Sequence, residues 1–219
     1  MALSDRQIER YSRQIIVPGI GGRGQERLLA ATLAITGETA DLDMPLAYLA
    51  GAGVGTILVE TAGGISIDPR LIADLGDLNE DSRVAAMTAA PPMPIDCSII
   101  LIGSANALKT ARGAIDRTAG RPVVLVRLDA PPRIASLAAT PCPLCAGVDL
   151  LGPFGKRAEQ ADFIAMLATA EALRLLTSEE RALTPRLFDF SGYQSQGVAI
   201  GRRAGTNRCQ CESRPAAHG

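Results

Sequence analysis

The chain has 219 residues and a formal net charge of −1, and it is 47% hydrophobic and 21% charged. This length and composition fit one α/β domain with a sizeable core, and the small charge argues against a general electrostatic attraction to nucleic acid or to an anionic membrane. The N-terminus has no apolar signal region, and no apolar run reaches the ~18 residues that cross a bilayer. We therefore expect a cytoplasmic protein whose five cysteines are thiols or metal ligands rather than disulfides.

Predicted strands and helices alternate along most of the chain. Ser4 and Gln7 fit a capping box and predict a first helix that turns Ile8 and Tyr11 toward the core. A short helix over residues 25–31 follows. The remaining predicted helices cover residues 44–52, 69–77, 106–118 and 161–177, and the predicted strands cover residues 33–36, 56–60, 84–87, 97–102 and 123–126, with a short strand through Ile65 and Ile67.

This alternation predicts a doubly wound α/β fold with a mostly parallel sheet. Continuous apolar strands such as 97–102 are typical of parallel sheets that are buried on both faces. Near the end of the chain, residues 187–190 and 193–200 flank Ser191-Gly192 and predict a β-hairpin. The long helix has apolar residues at three- and four-residue spacing, which is typical of a helix. They are Phe163, Met166, Leu167, Ala170, Leu173 and Leu176.

The stretch between the first two predicted strands has the layout of a nucleotide-binding βαβ unit with an unusual loop. Residues 37–43 read Gly-Glu-Thr-Ala-Asp-Leu-Asp, which gives one glycine and three acids. Phosphate loops use glycines because the backbone must approach the phosphate and direct N–H groups at it. Carboxylates at a helix N-terminus interact favourably with the helix dipole instead. Acids in that place would themselves occupy the anion site.

Several motifs follow one another in the order typical of a known family. They are Arg10-Tyr11-Ser12-Arg13-Gln14-Ile15-Ile16, Gly24-Gln25-Glu26, Tyr48-Leu49-Ala50-Gly51-Ala52-Gly53-Val54-Gly55, Asp77-Leu78-Asn79, Cys142-Pro143-Leu144-Cys145, Ala170-Glu171-Ala172-Leu173-Arg174-Leu175-Leu176 and Leu187-Phe188-Asp189. With these motifs the chain resembles the ThiF/MoeB/HesA family, the adenylating enzymes that activate ubiquitin-like and sulfur-carrier proteins.

The resemblance covers nearly the whole chain and implies one domain of the activating-enzyme type. An N-terminal helical arm (1–32) would precede a Rossmann-like core (33–139). The last part (140–219) would hold a four-cysteine zinc knuckle, the long helix and the C-terminal β-hairpin. The resemblance also implies a dimer, and a nucleotide site at Gly37 and Glu60. Gly37 is the first glycine of the family's GxGGxG loop, and Glu60 stands for its ribose-binding acid.

The chain departs from the family where the family handles ATP. The other three loop glycines are replaced, and the segment that carries the family's catalytic Arg and Lys is deleted, which leaves Arg70 as the candidate substitute. Ala105 stands where the family has the aspartate that holds magnesium. Adenylation depends on neutralising and positioning phosphate. These departures argue against ATP and Mg²⁺ as cofactors and against activity of the chain alone.

Arg13 matches a family arginine that reaches across a dimer interface to the partner's ATP. An arginine supplied in trans stabilises developing phosphate charge. A subunit that lost its own site and kept this arginine would suit a heterodimer with an intact activating-enzyme subunit. The alternative is a structural salt bridge of Arg13 at the N-terminal helix.

Four of the cysteines form two closely spaced pairs. Cys142 and Cys145, with Cys209 and Cys211, could supply four thiolates to one structural zinc, although the family has CxxC rather than CxC in the second pair. The alternative is a set of reduced thiols without metal. Cys97 starts an apolar strand and is expected in the core.

The leading hypothesis is a degenerate family member that does not adenylate. It would be a partner subunit, in a homodimer or heterodimer, or a module that binds a small ubiquitin-like or sulfur-carrier protein. The first alternative is an active adenylyltransferase of a carrier C-terminus that uses Arg13, Arg70 and Glu60. The second is a protein that binds another small ligand in the vacated nucleotide pocket.

Overall fold

The computed structural model describes residues 2–88, 93–118, 120–137, 150–178, 185–191 and 196–199, and an eight-stranded sheet runs through them. Its strands are β1 (Thr32–Gly37), β2 (Thr56–Thr61), β3 (Arg83–Ala86), β4 (Cys97–Ile102), β5 (Val123–Arg127), β6 (Arg133–Leu137), β7 (Arg186–Asp189) and β8 (Gln196–Ala199). The helices are α1 (Asp5–Arg10), α2 (Ser12–Ile15), α3 (Gly21–Ala30), α4 (Thr39–Gly51), α5 (Pro69–Leu78), α6 (Ala105–Arg117) and α7 (Ala161–Thr177), and a 3-10 turn covers Ala62–Gly64.

The order of the strands across the sheet is β3-β2-β1-β4-β5-β6-β7-β8. The strands from β3 to β5 in this order are parallel, which confirms the predicted doubly wound, mostly parallel sheet. The strands β6, β7 and β8 continue it in antiparallel pairing. The direction of strand addition reverses between β1 and β4. In doubly wound sheets, the carboxyl ends of the strands at such a reversal border a crevice in which ligands bind.

Two apolar clusters hold the helices against the sheet. The first packs α4, α5 and α7 on one face, and the second packs α6 and the segment 150–154 on the other. Because both faces are covered, β1, β4 and β5 are buried at every position, which explains their nearly continuous apolar sequences. In the described part of the chain, no helix combines the length and apolarity needed to cross a membrane.

Tyr11 fixes the N-terminal arm to the sheet domain. The predicted capping box is present at the start of α1, and Tyr11, which caps its other end, is 1% exposed. The Tyr11 hydroxyl donates to Asp81 (2.9 Å) and accepts from Asn79 Nδ2 (2.9 Å). Burial raises the pKa of Tyr11 to about 12. Ile8 is 48% exposed, so the prediction that it faces the core is wrong.

Glycine and amide residues from three other motifs lie at or next to the Tyr11 hydroxyl. Gly53 has a φ of +83°, and a Cβ at this position would lie 2.6 Å from the Tyr11 hydroxyl oxygen. Gln25 is fully buried and donates to the Ala52 carbonyl (3.0 Å). Asn79 donates to the Ala50 carbonyl (2.7 Å). Residues from separate family motifs therefore form one structural junction.

Helix α4 begins five residues earlier than predicted. It starts at Thr39, directly after the extended residue Glu38, and it contains Pro45. The predicted open loop 37–43 is thus mostly the first turn of a helix. The acids of this stretch favour that start, since Asp41 in the first turn interacts with the helix dipole.

The predicted bounds of α7 are confirmed, and Leu167, Leu173 and Leu176 from its apolar series are partly buried against the core. Its buried side is formed by Ala161, Ile164, Ala165, Ala168, Thr169, Ala172, Leu175 and Thr177. Phe163 from the same apolar series is 58% exposed. The helix is apolar around most of its circumference, so its sequence periodicity does not define one face.

Two further elements differ from the sequence-based expectations. Strand β6 was not predicted, because it is a short antiparallel addition directly after Pro131-Pro132. The strand expected through Ile65 and Ile67 is absent, and the 3-10 turn precedes these residues instead, with positive φ at Gly63 and Gly64. Residues 192–195, between β7 and β8, lie outside the described residues, so the predicted turn of the C-terminal hairpin stays a prediction.

Candidate functional site

The crevice between the carboxyl ends of β1 and β4 is the candidate site. Helix α4 begins two residues after β1, and α6 begins three residues after β4, so both helix N-termini are directed at this crevice. Gly37 ends β1, and a Cβ there would lie 3.1 Å from Leu101 Cβ, which is a tight contact. The predicted nucleotide-binding glycine is therefore at the expected place, and packing within the sheet domain explains it without a ligand.

Glu38 extends from the end of β1 to the start of α6. The Ser104 hydroxyl donates to the Glu38 carboxylate. The same Ser104 oxygen accepts from the backbone N–H groups of Asn106 and Ala107 and caps α6. The Ser-Ala-Asn segment, which has Ala105 at the position of the magnesium ligand, thus serves as a helix cap that also binds an acid of the loop.

Asp41 fills the region at the N-terminus of α4. The residue is 3% exposed, and its Oδ1 accepts from Arg157 Nη2 at 2.6 Å. In the described part of the chain, Asp41 Oδ2 has no hydrogen-bond partner. A Cβ on Gly103 would lie 2.1 Å from this oxygen, so a side chain there would displace the carboxylate. Burial raises the pKa of Asp41, and the adjacent Arg157 opposes that rise.

Arg157 joins the first turns of two helices. Besides Asp41 in α4, its Nη2 donates to Asp162 in α7 at 2.9 Å. The Arg157 side chain is 40% exposed, whereas that of Asp41 is 1% exposed. The pair therefore places one buried negative charge and one accessible positive charge at the crevice. Arg157 was not singled out from the sequence, because its partner is 116 positions away along the chain.

Residues 150–158, which we call the strap, carry Arg157 and are held by a second ion pair. Arg127 is 2% exposed, and its Nε donates to Asp129 Oδ1 at 2.7 Å. Arg127 also donates to three strap carbonyls, those of Leu150, Gly152 and Pro153. Its guanidinium lies over the Phe154 ring at 5.4 Å. The strap is thus attached to the end of β5 by one buried arginine.

Asp129 completes this attachment. Its Oδ2 accepts from the Gly155 backbone N–H at 2.8 Å. Burial alone would raise the pKa of Asp129, but hydrogen bonds from Arg127 and from the Gly155 N–H outweigh burial and lower it. The alternation of charged and apolar residues in Val126-Arg127-Leu128-Asp129, at the end of an apolar strand, is the sequence signal that could have revealed this pair.

Glu60 lines a cleft, and its carboxylate is already bonded to other residues of the protein. It accepts from the Thr36 hydroxyl (3.1 Å) and forms an ion pair with Arg117 of α6. The cleft has a volume of about 600 Å³ and extends from the end of β2 to Met87 and Thr110. The acid predicted to bind ribose therefore has two partners within the protein. Arg70, the candidate substitute for the catalytic arginine, is exposed in the first turn of α5.

Arg13 is exposed in α2 and makes no ion pair with any residue that the structure describes. The alternative interpretation, a structural salt bridge of Arg13, therefore has no acidic partner among the described residues.

Of the cysteines, Cys97 is fully buried in β4, as expected, and burial raises its pKa to about 12, so it is a core residue rather than a nucleophile. Cys142, Cys145, Cys209 and Cys211 lie outside the described residues, and zinc binding by them stays a prediction.

Comparisons with known proteins identify the relatives of this chain. No protein-family model matches it. The vegetative HesA protein of Trichormus variabilis is 41% identical over 66 residues, which is 30% of this chain and 25% of HesA. The adenylyltransferase and sulfurtransferase uba4 of Neosartorya fischeri is 31% identical over 238 residues, which cover 88% of this chain and 47% of uba4. The uba4 of Aspergillus terreus is 28% identical, with 96% of this chain and 54% of uba4 covered. The chain belongs to the ThiF/MoeB/HesA family.

Solved structures agree with this assignment at the level of the fold. PaaA aligns with a TM-score of 0.59 and 16% identity over 92% of this chain and 76% of PaaA. Escherichia coli MccB in complex with ATP aligns with a TM-score of 0.61 and 13% identity over 90% of this chain and 72% of MccB. This ThiF/MoeB/HesA family member spans about half the length, or less, of the curated relatives described above.

Proposed function

We propose that this family member does not adenylate and acts as a partner subunit, or as a carrier-protein-binding module, in sulfur-carrier or ubiquitin-like activation. The observation that carries the proposal is the Asp41–Arg157 ion pair at the N-terminus of α4. In the activating enzymes that the chain resembles, the corresponding glycine loop approaches the phosphates of ATP. Here a side-chain carboxylate occupies the region at the start of the helix.

Electrostatics supports this proposal. A bound triphosphate carries ~4 negative charges, and a like charge at 4 Å costs about 1 kcal/mol in water and about 4 kcal/mol near a protein surface. Asp41 is buried, and Glu38 lies beside it at the same crevice. The only lysines of the chain are Lys109 and Lys156, and Ala105 supplies no magnesium ligand. Among the described residues at the crevice, Arg157 supplies a positive charge, and Asp41 and Asp162 already form ion pairs with it.

The accessible Arg13 supports the role of a partner subunit. An arginine without an ion pair in the described residues can extend toward a second protein. The arm that carries Arg13 is held in place by Tyr11, so the position of the arginine is defined before a partner binds. The partner is a second copy or an intact activating-enzyme subunit, and the substrate of the assembly is a small ubiquitin-like or sulfur-carrier protein.

Calorimetric titration of the wild-type protein with Mg·ATP tests the proposal. We expect no binding at millimolar ATP, because the Asp41 carboxylate and the missing magnesium ligand disfavour the triphosphate. Binding in the micromolar range would contradict the proposal. Adenylation of a carrier C-terminus, with Arg13, Arg70 and Glu60 in catalytic roles, would then be the leading function.

The partner role has its own test. The chain is mixed with an intact family enzyme, and ATP–pyrophosphate exchange is measured with the wild type, with Arg13→Ala and with the matched control Arg23→Ala. Arg23 is another arginine of the arm. We expect the exchange rate to rise with the wild type and with the control, and not with Arg13→Ala. Equal rates with all three proteins would refute a trans role of Arg13.

The cleft beside Glu60 favours one second candidate, the binding of a small ligand other than ATP. Its volume of about 600 Å³ falls within the usual range of ligand pockets. Two consecutive glycines with positive φ, Gly63 and Gly64, border it without crowding. A nucleoside titration that gives no binding while a screened metabolite does bind would favour this candidate.

A further inference from the structure

We infer that Arg133 binds a carboxylate, either that of a protein C-terminus or that of a small organic acid. The inference rests on the proposed function and deepens it, because a module that binds a carrier protein without adenylating it would hold the free C-terminal carboxylate. Arg133 begins β6 and lies directly opposite Arg127, the last residue of β5. It is therefore at the same end of the strands as the crevice, two strands away from β4.

The Arg133 guanidinium has a donor that no residue in the described part of the chain uses. The residue is partly buried, and its Nε is buried without a hydrogen-bond partner. Arg133 also forms no ion pair with any acid that the structure describes. A buried donor on a charged group is costly when it has no acceptor. An anion that approaches from the exposed part of the side chain would supply that acceptor.

Two acids lie at this end of the sheet, and both are bound elsewhere. Asp129 accepts from Arg127 Nε at 2.7 Å. Asp189, directly opposite Arg133 on β7, accepts from the backbone N–H of Ser191 at 2.8 Å. Side chains directly opposite each other in an antiparallel pair share one face of the sheet, so two arginines meet here. Asp129 is the counter-ion of Arg127, and Arg133 is left without one.

The surroundings favour a carboxylate over a phosphate. A guanidinium presents Nε and one Nη in a plane, which matches the two oxygens of a carboxylate. The carboxylates of Asp129 and Asp189 at this end of the sheet repel any anion. This repulsion is about twice as large for a phosphate with two negative charges as for a carboxylate with one. A planar, singly charged group therefore fits the position best.

The position of Arg133 is fixed before a ligand binds. Its strand, β6, pairs with β5 on one side and with β7 on the other. The Pro132 carbonyl just before it accepts from the Phe190 N–H at 3.1 Å. The side chain is partly exposed, so a ligand can reach the guanidinium without opening the sheet.

Calorimetric titration with a short alanine–glycine peptide tests the inference. One form of the peptide has a free C-terminal carboxylate, the other has a C-terminal amide, and acetate represents a small organic acid. We expect the wild type to bind the free carboxylate at least roughly tenfold more tightly than the amide, and Arg133→Gln to lose this difference. Arg121→Gln is the matched control, because Arg121 is exposed and precedes β5 at its opposite, amino end. This control should keep the difference.

The affinities for the peptide and for acetate distinguish the two sources of the carboxylate. Tighter binding of the peptide supports the site and identifies a protein C-terminus, whereas equal binding supports the site and identifies a small organic acid. If Arg133→Gln does not fold, Arg133→Lys decides the question. It keeps the charge and loses the planar fork, so it should bind the free carboxylate more weakly than the wild type does.

Two results would overturn the inference. The first is a wild-type protein that binds no acetate and does not distinguish the free carboxylate from the amide. The second is an equal loss of affinity in Arg133→Gln and Arg121→Gln, which would be a general effect of lost positive charge.

The two proposals fail separately. Binding of Mg·ATP by the wild type would refute the non-adenylating function and would not touch the carboxylate site. If the wild type binds no ATP and no carboxylate, only the role of Arg133 is refuted.

Discussion

At the residue scale, a few buried polar side chains join segments that are far apart in the sequence. Tyr11 connects the N-terminal arm to Asn79 and Asp81, and Arg127 connects β5 to the strap. Both are almost completely buried, so their hydrogen bonds are formed away from water. Substitutions at these positions are expected to cost stability through unsatisfied partners rather than through lost volume.

Tyr11→Phe should lower the free energy of unfolding by about 1–3 kcal/mol, because it leaves buried polar partners of the hydroxyl unsatisfied. The matched control is Tyr48→Phe, since Tyr48 is 51% exposed. This control should change stability by about 0.5 kcal/mol or less. Urea denaturation of the three proteins measures both effects. Equal stability of the two variants would show that the Tyr11 cluster does not stabilise the arm.

Asp129→Asn should destabilise the protein by about 3–5 kcal/mol at neutral pH, since it leaves the Arg127 guanidinium buried without its counter-charge. The pKa of Asp129 is lowered in the folded protein. The stability that the wild type gains from this carboxylate is therefore complete above the unfolded pKa, about 4. It is lost as the pH falls through the lower, folded value.

Unfolding measured between neutral and strongly acidic pH checks this dependence. The difference between the wild type and Asp129→Asn should shrink only at the acidic end of that range. A difference that stays constant with pH would contradict an ionised, hydrogen-bonded Asp129.

At the scale of elements, α4 and α7 show that tertiary contacts decide between structures that the same sequence pattern allows. Helix α4 starts within the stretch that resembles a phosphate loop, and its first turn is held by the Asp41–Arg157 pair. Helix α7 is apolar on several sides, and the packing against α4 and the sheet selects the buried one. In both helices, the neighbouring elements determine which side chains are buried or paired.

The orientation of α7 predicts a contrast between two adjacent residues. Ile164 is 1% exposed and Phe163 is 58% exposed. Ile164→Ala should lower stability by about 2–5 kcal/mol, because it creates a cavity in the core. Phe163→Ala should lower it by about 0.5 kcal/mol or less, as an exposed substitution. Thermal or urea unfolding measures the contrast, and a larger loss for Phe163→Ala would contradict this orientation of α7.

At the scale of the whole molecule, the proposals concern assembly and metal content rather than the sheet. The first strands form a parallel, doubly wound unit, and β6 to β8 extend it in antiparallel pairing. The CxxC and CxC cysteine pairs are predicted to bind one structural zinc between them.

We expect the purified protein to contain about one zinc ion per chain, as four cysteine thiolates form one tetrahedral site. Cys142→Ser should lose zinc and lower the melting temperature, and a chelator should do the same to the wild type. Cys97→Ala is the matched control, because Cys97 is a buried core residue that should affect stability without affecting zinc content. Wild-type protein without zinc would leave the cysteines as reduced thiols.

The sequence by itself determined the features that depend on short-range interactions. The capping box at Ser4, the apolar strand 97–102 and the alternation of strands and helices predict the α/β fold, because capping and burial periodicity are local properties. The order of the motifs also predicted the ThiF/MoeB/HesA family.

Only the tertiary structure decided what the acids of residues 37–43 contact. Asp41 pairs with Arg157 across 116 positions, and Glu38 accepts from Ser104 across 66 positions. No local pattern specifies such pairs, because they depend on how the strap and α6 are placed over the ends of β1 and β4. The buried side of α7 was decided in the same way, since an apolar helix takes its orientation from the surfaces against which it packs.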